Sequence, residues 1–372
     1  MKYLSQQNPT IFQGKRVLVR VDYNVPIIDG AISSTEAFRI HATLPTIEWL
    51  QKAGAKIILI SHIGRSGDSL CVVYDYLQEY IPELNIQFVS EVVGEQATES
   101  VNRMESGQIL LLENVRKEKG EELNDSSFVQ SLSLLGDYFV NDAFAVSHRA
   151  HASVVGIATH LPSFAGLLME QEIIHLEQAL EPSSPSVLIM AGIKFETKLP
   201  LIEKLLPLYD SVILGGGLLN TYLKSFGIGV GKSVIDDSAN LSSIIGSKKI
   251  IIPEYVIVER NGEAKTITVS EIMENDIIVD VVIDTQMKQL LQNAKIVVWN
   301  GPIGWYEKGY TKSIVDIVEN LGNATMSIAG GGDTVTAIQK LGLTDQVSFL
   351  STGGGAMLEY LQNGTIVGLE NL

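Results

Sequence analysis

The sequence holds a single cysteine, Cys71, so no disulfide can close within the chain and no cysteine-based metal site can form. Aromatic residues make up 7% of it, which leaves aliphatic side chains to build the cores. Positive charge is also scarce: 27 Lys and Arg stand against 43 Asp and Glu, a formal net charge of −16. A surface of that sign is unsuited to nonspecific contact with nucleic acid or an anionic membrane, but it leaves room for a small anion held by a local arginine cluster. No apolar run approaches the ~20 residues that span a bilayer, and Met1–Thr10 has no apolar stretch like that of a secretory signal. No short-period repeat or low-complexity tract is present. The expectation is a soluble, reduced, cytoplasmic protein with neither a membrane nor a nucleic-acid partner.

What the chain does have is apolar material in a regular arrangement. It has 372 residues, 45% of them hydrophobic, enough for two domains of roughly 150 residues or more. A unit recurs: a short aliphatic run, a polar or glycine turn, then an amphipathic stretch. That is the sequence form of β-α-β units with buried parallel strands. In the first half the runs are Lys15–Asp22, Ala55–His62, Ile86–Val89, Gln108–Asn114 and Asp137–Asp142. In the second they are Ser186–Gly192, Ser211–Gly217, Lys248–Pro253, Lys295–Gly301, Met326–Asp333 and Val347–Gly355. Helices are expected over Ala42–Ala53 and Ala165–Leu180. The Pro/Ser segment Glu181–Pro185 reads as the main domain boundary.

The two halves differ at the strand ends, where ligands of open α/β sheets bind. In the first half those ends carry Asp22 and Asn24, His62 and Arg65, Asn114 and Arg116, and Asn141 and Asp142 with His148 and Arg149 beyond. In the second they carry glycines: Gly192, Gly215–Gly217, Gly301, Gly330–Gly332 and Gly353–Gly355. Guanidinium forks match phosphate and carboxylate geometry, and glycine turns let backbone amides approach a phosphate at a helix N-terminus. The first half therefore reads as a small-polyanion site and the second as a nucleotide site, a layout suited to phosphoryl transfer.

Individual motifs carry competing readings. Asp22 and Asn24 lie in V-R-V-D-Y-N-V-P, where a strand end with an Asx turn is the plainer interpretation. His62 and Arg65 in S-H-I-G-R-S-G fit either an anion or a solvated turn. His148 and His151 have H-x-x-H spacing, but no third ligand and no H-E-x-x-H glutamate accompany them, so packing and hydrogen bonding are expected there. On a helix, Lys194 and Lys198 would share a face and gain from an anion between them; a plain exposed lysine row is the alternative. G-I-G-V-G-K-S (Gly227–Ser233) fails both the phosphate-loop and the dinucleotide patterns, because Phe226 and Lys232 stand where glycines are required. In W-N-G-P-I-G-W-Y-E (Trp299–Glu307), Glu307 is placed to accept from ribose hydroxyls. A-G-G-G-D-T sets Asp333 beside glycine amides, the usual partner of Mg²⁺ at a phosphate. S-T-G-G-G-A offers hydroxyls and the amides of Gly353, Gly354 and Gly355 as an anion nest.

Taken in order, V-R-V-D-Y-N-V-P, S-H-I-G-R, L-L-L-E-N-V-R, N-D-A-F-A-V-S-H-R-A-H-A-S, the Lys194/Lys198 pair, G-G-G at 215–217, W-N-G-P-I-G, G-G-G-D-T and S-T-G-G-G-A resemble the phosphoglycerate kinase family over nearly the whole chain. The resemblance implies an α/β fold of two similar-sized lobes, each a parallel β-sheet flanked by helices. It implies a phosphoglycerate-binding N-terminal lobe (1–164 plus 356–372), an interdomain helix and hinge (165–185) and a nucleotide-binding lobe (186–355). The implied reaction is reversible phosphoryl transfer, in glycolysis, between 1,3-bisphosphoglycerate with MgADP and 3-phosphoglycerate with MgATP. Asp22, Asn24, Arg39, His62, Arg65, Arg116 and Arg149 would hold the phosphoglycerate. Gly192, Lys198, Gly216, Gly217, Asn300, Glu307, Gly331, Gly332, Asp333 and Thr334 would hold the nucleotide, with Mg²⁺ at Asp333. Arg39, Lys194 and Lys198 would be catalytic. Closure about the hinge would exclude water, and the protein would act as a monomer.

The chain departs from the family pattern in several places: Ala191-Gly192-Ile193-Lys194, Ile252-Pro253-Glu254-Tyr255, Ile277–Asp284, Gly304-Trp305-Tyr306-Glu307, Gly64-Arg65-Ser66 and a shortened Asp236–Lys248. Most fall where the family holds the nucleotide base. They motivate the alternative of a weakly active or inactive, ligand-binding regulatory member. A nicotinamide dehydrogenase is disfavoured by the lack of a strand followed by G-x-G-x-x-G.

Overall fold

The structure, a computed structural model, describes residues 1–33, 37–64, 68–196 and 198–372. The chain forms two compact units, Met1–Ile174 with Thr365–Leu372, and His175–Gly364. It passes from one to the other within the helix Leu167–Leu180. The C-terminal helix Gly354–Asn363 groups with the second unit and the last eight residues with the first.

The first unit contains β1 (Arg16–Arg20), β2 (Lys56–Ile60), β3 (Ile86–Val89), β4 (Ile109–Leu112), β5 (Tyr138–Asn141) and β6 (Ser163–Ala165). They form one parallel sheet in the order β3-β4-β2-β1-β5-β6. The aliphatic residues of β1, β2 and β4 are buried, as strands covered on both faces require. The helix Leu44–Lys52 buries Ile47 and Leu50. It is shorter than the expected Ala42–Ala53: Pro45 suits a first helical turn, and a separate short helix, Phe38–Ala42, ends before Thr43. Phe12 makes edge contacts with Trp49, Tyr138 and Phe164 at centroid distances of 5.7, 5.3 and 5.5 Å, a cluster of four rings.

The second unit contains β7 (Ser186–Ala191), β8 (Ser211–Gly215), β9 (Ile250–Ile251), β10 (Tyr255–Arg260), β11 (Glu263–Thr268), β12 (Ile277–Val281), β13 (Ile296–Asn300), β14 (Met326–Gly330) and β15 (Phe349–Leu350). Six of them form a second parallel sheet, β15-β14-β13-β7-β8-β9. Every aliphatic run read from the sequence is a strand. Several end one or more residues early, because the polar and glycine residues at the carboxyl ends leave the ladder to form loops and helix starts. Those departing residues are the candidate site residues.

Two features lie outside the expectation. Ser163–Ala165 is a strand, with Ala165 paired to Asn141, so the helix expected from Ala165 begins at Leu167. Its start is fixed by Asp142, whose Oδ1 accepts from Met169 N at 3.1 Å and favours the positive end of the helix. The second feature is an antiparallel sheet, β11-β10-β12. Its hairpin turns at Asn261-Gly262, with φ of 55° and 79°, the left-handed pair that a two-residue turn needs. The bidentate pair of Arg260 with Asp276, at 2.7 Å on both oxygens, ties the hairpin to the segment before β12. Gly231, in the failed phosphate-loop motif, packs against Asp276 O, where a Cβ would lie at 2.3 Å, so that loop serves the fold.

Leu59 is fully buried in β2, between β1 and β4. Leu59→Ala is expected to lower the stability of the first unit by about 2–5 kcal/mol. Urea-dependent hydrogen exchange of the β1 and β2 amides would read this, and unchanged protection would contradict the packing described.

Candidate active site

In the first unit the site grows from the carboxyl ends of β1 and β2. Beyond β1 the Asp22 carboxylate is buried, 4% exposed, and its Oδ1 accepts from Asn24 N at 3.2 Å in an Asx turn. Arg39, from the helix Phe38–Ala42, donates through Nη1 to Asp22 Oδ2 at 2.9 Å and to Asn24 O at 3.2 Å. The Asx turn and the ligand-site reading of Asp22 and Asn24 are therefore compatible: the turn presents the carboxylate to the arginine. Asn24 Oδ1 accepts from Gly64 N at 3.0 Å, and Gly64 O accepts from Arg116 Nη1 at 2.6 Å. His62 is 1% exposed, and its basicity is pushed far down, first by burial and then by the cations Arg20, Arg116, Arg149 and Arg39. Burial and the neighbouring Arg149 also lower the Arg116 pKa. The structure thus brings Asp22, Asn24, Arg39, His62, Arg116 and Arg149 into one neighbourhood. Arg65 lies outside the described residues.

Arg20 was not among the candidates, yet it is a central cation of this site. It is the last residue of β1, 1% exposed, and it donates to Ser153 Oγ at 2.9 Å and to His62 Nδ1 at 3.1 Å. In the sequence it stands two residues before Asp22 within a valine run, so it read as part of the strand. The signal available was a charged residue at a position where β-strand burial leaves no solvent. Its charge is answered by Glu121, fully buried, which accepts from Ser153 Oγ at 2.6 Å and Ser153 N at 2.9 Å. His151 stands beside Glu121, with Nδ1 3.9 Å from Oε1.

In the second unit the ends of β7, β13, β14 and β15 meet around a cleft of about 250 Å³ lined by Lys198, Asn300, Gly301, Pro302, Gly331–Thr334, Gly354, Gly355 and Leu358. Lys198 Nζ donates to Asn300 Oδ1 at 2.8 Å and to Ala191 O. Asn300 Nδ2 donates onward to Gly330 O at 3.1 Å, and Gly301 N to Thr334 Oγ1 at 2.8 Å. Two helices, Gly332–Lys340 and Gly354–Asn363, begin in this cleft, so their unpaired first-turn amides point where an anion would sit. A Cβ on Gly192 would lie 3.2 Å from Lys198 Nζ, and one on Gly217 would lie 2.7 Å from Ile193 O. Gly192, Gly216 and Gly217 therefore let the helix Gly216–Ser225 start close beside the lysine. Burial lowers the Lys198 pKa to about 8, opposed by the charge of Asp333.

Two expectations change here. Lys194 and Lys198 are not a helical pair: the helix starts at Leu199, with Pro200 in its first turn, and Lys198 is its N-cap. Lys194 is exposed in the preceding loop, while Lys198 turns inward. Gly353 does not offer a free amide, because its N–H donates to Ser351 Oγ at 3.1 Å; Gly354 and Gly355 remain in the cleft lining. Glu307 is exposed, and the hydroxyl of its neighbour Tyr306 lies 3.4 Å from Oδ1 of Asp333, a residue of the cleft lining. Another unforeseen residue is Asp236. Its Oδ2 accepts from Phe195 N at 2.9 Å and Glu196 N at 3.3 Å, clamping the loop that delivers Lys198.

Among the described residues no group of three or more His, Cys, Asp or Glu forms a ready-made metal cage. A single carboxylate among phosphate-binding amides is nevertheless what Mg²⁺ uses when substrate phosphates and water complete its shell, and Asp333 in this cleft fits that role.

A family model described as phosphoglycerate kinase matches residues 8–364. A phosphoglycerate kinase of Borreliella burgdorferi (strain ZS7) is 38% identical over 97% of this chain and 97% of its own length. One of Maricaulis maris (strain MCS10) is 38% identical over 96% of this chain and 94% of its own. The solved phosphoglycerate kinase of Coxiella burnetii superposes with a TM-score of 0.83 at 33% identity, covering 99% of this chain and 98% of that one. That of Pyrococcus horikoshii OT3 gives 0.85 at 29% identity, covering 100% and 98%.

The Lys198 amine carries its charge below about pH 8 and loses it above. ADP affinity is therefore expected to weaken as pH rises through that value, and Lys198→Arg, which stays charged, is expected to flatten the dependence. Calorimetric titration from about pH 7 to about pH 10 measures this. A flat wild-type profile would contradict it.

Proposed function

The chain belongs to the phosphoglycerate kinase family, and from that premise we infer how its own residues perform the family's reaction. It is a phosphotransferase that moves a phosphoryl group reversibly between 1,3-bisphosphoglycerate with ADP and 3-phosphoglycerate with ATP. No observation favours the inactive, regulatory alternative. The observation that supports the mechanistic reading is a cluster of anion-compatible groups in each unit: arginines at the strand ends of the first, and a lysine with two helix N-termini in the second.

Arg39, Asp22, Asn24, His62, Arg116 and Arg149 hold phosphoglycerate in this reading, and Arg65 joins them by family resemblance. The glycerate carboxylate is the phosphoryl acceptor, so its oxygen attacks the γ-phosphorus while the bond to ADP breaks, and no general base is needed. Lys198, kept inward by Asn300 and Ala191 O, meets the oxygens of the transferring group and neutralises charge that grows on them. Lys194 assists from the same loop. The amides of Gly331, Gly332 and Thr334 hold nucleotide phosphate, with those of Gly354 and Gly355 for the transferring group; Gly192, Gly216, Gly217 and Asn300 shape the cleft, and Glu307 serves the ribose. Asp333 would hold Mg²⁺, which would supply positive charge to the phosphates. Donor and acceptor must reach bonding distance with water excluded for transfer to occur. The reading extends to a glycolytic role and a cytoplasmic monomer; the lone Cys71 is consistent with a reducing compartment.

A coupled assay in both directions tests the division of labour. Arg39→Ala is expected to cost about 10²–10³ in kcat/KM, with a raised KM for 3-phosphoglycerate and little change in that for ATP. Lys198→Ala is expected to lower kcat by a similar factor with the 3-phosphoglycerate KM preserved. No wild-type turnover at saturating MgADP and 1,3-bisphosphoglycerate would defeat the assignment.

A further inference from the structure

The Arg20 network does more than store a buried charge. Arg20 Nη2 lies 3.1 Å from His62 Nδ1, and a guanidinium has donors only. His62 Nδ1 must therefore accept, which puts the ring proton on Nε2. That atom is buried and has no hydrogen-bond partner among the described residues. A buried donor without a partner carries a cost of desolvation, which an anionic ligand would remove.

The opposite tautomer also has a partner at hand. Asp22 Oδ1 is 3.8 Å from His62 Nδ1 and would accept from an Nδ1–H after a small shift. Which tautomer prevails depends on whether Arg20 stays in place. Its Nε is tied to Ser153 Oγ at 2.9 Å, and Ser153 is tied through both Oγ and N to the two oxygens of Glu121, at 2.6 and 2.9 Å. Glu121 and Ser153 are fully buried, so this tether is not exchanged for water. The charged groups facing the ring are Arg20, Arg39, Arg116 and Arg149 against Asp22; the excess of cations disfavours an imidazolium and leaves the choice between two neutral forms.

We propose that Glu121 and Ser153, acting through Arg20, are positioning residues that hold His62 in the Nε2–H tautomer and present that N–H to the phosphorylated glycerate. The proposal rests on the assignment of His62 to the phosphoglycerate site. Neither Glu121 nor Ser153 need touch the ligand: they act on the affinity of the first unit by deciding which ring nitrogen bears the proton.

The test is ¹⁵N-edited NMR of the full chain with ring-labelled histidine, which reads each nitrogen as protonated or bare, on wild type, Ser153→Ala and Glu121→Gln, alongside kinetics. In wild type, His62 is expected to be neutral with Nε2 protonated. In Ser153→Ala the Nδ1–H form is expected to appear, and KM for 3-phosphoglycerate to rise about tenfold while KM for ATP stays within about twofold. Glu121→Gln, which keeps an acceptor for Ser153, is expected to fall between the two. A wild-type His62 that is cationic or protonated at Nδ1 would overturn the proposal without any variant. So would a Ser153→Ala protein with an unchanged tautomer. An Nε2–H ring whose resonances ignore added 3-phosphoglycerate would uphold the tautomer and defeat instead the placement of His62 in the ligand site.

Discussion

Cations gathered to bind an anion repel one another and resist burial, so each must be answered by something that does not neutralise the site. That constraint shapes both units. Around His62 the answers are partial: Asp22 takes Arg39, Glu121 takes Arg20 through Ser153, and Glu122 Oε1 lies 3.4 Å from Arg116 Nε, yet burial and the neighbouring Arg149 still lower the Arg116 pKa. In the second unit the half-buried Lys198 is answered by two neutral oxygens, Asn300 Oδ1 and Ala191 O, with Asp333 acting at longer range. Neutral acceptors orient an ammonium without cancelling it, so its charge remains available to a phosphate.

The fold is the means of meeting that constraint. Parallel strands buried on both faces are made of aliphatic residues, and polar chemistry can emerge only where the strands stop. Asp22, His62, Asn114, Asn141 and Asn300 all stand within two residues of a strand end or at it. Glycine does the corresponding work in the second unit, where a Cβ on Gly217 would lie 2.7 Å from Ile193 O and one on Gly216 3.2 Å from Gly192 O. The net charge of −16 and a basic binding site are thus compatible: the acidity is an average over the chain, and the cations are local.

Much of this was legible in the sequence, because aliphatic runs and their polar or glycine ends are local signals. The parallel sheets and most of the candidate residues follow from them. What was less legible depended on contacts distant in sequence or on a different strand pattern. Arg20 lies inside a strand, and its importance comes from Ser153 and Glu121, more than a hundred residues away. The Lys194/Lys198 pairing failed because Pro200 sets a helix start after the second lysine. The hairpin β10–β11 alternates and is largely exposed on β11, unlike the buried runs, although Asn261-Gly262 marks its turn plainly. Asp236 acts on Lys198 through the backbone of Phe195 and Glu196, a relation that no motif spells out.

The central claim is that the two units carry separate anion sites of different kinds, guanidinium-based in the first and built from a lysine and helix N-termini in the second. Amide chemical-shift mapping with each ligand alone tests it most directly. The account predicts that 3-phosphoglycerate perturbs the residues around Asp22, Arg39, His62 and Arg116, and that MgADP perturbs those around Lys198, Asn300 and Gly331–Thr334. Perturbation of the Lys198 cleft by 3-phosphoglycerate, with the arginine cluster silent, would contradict it.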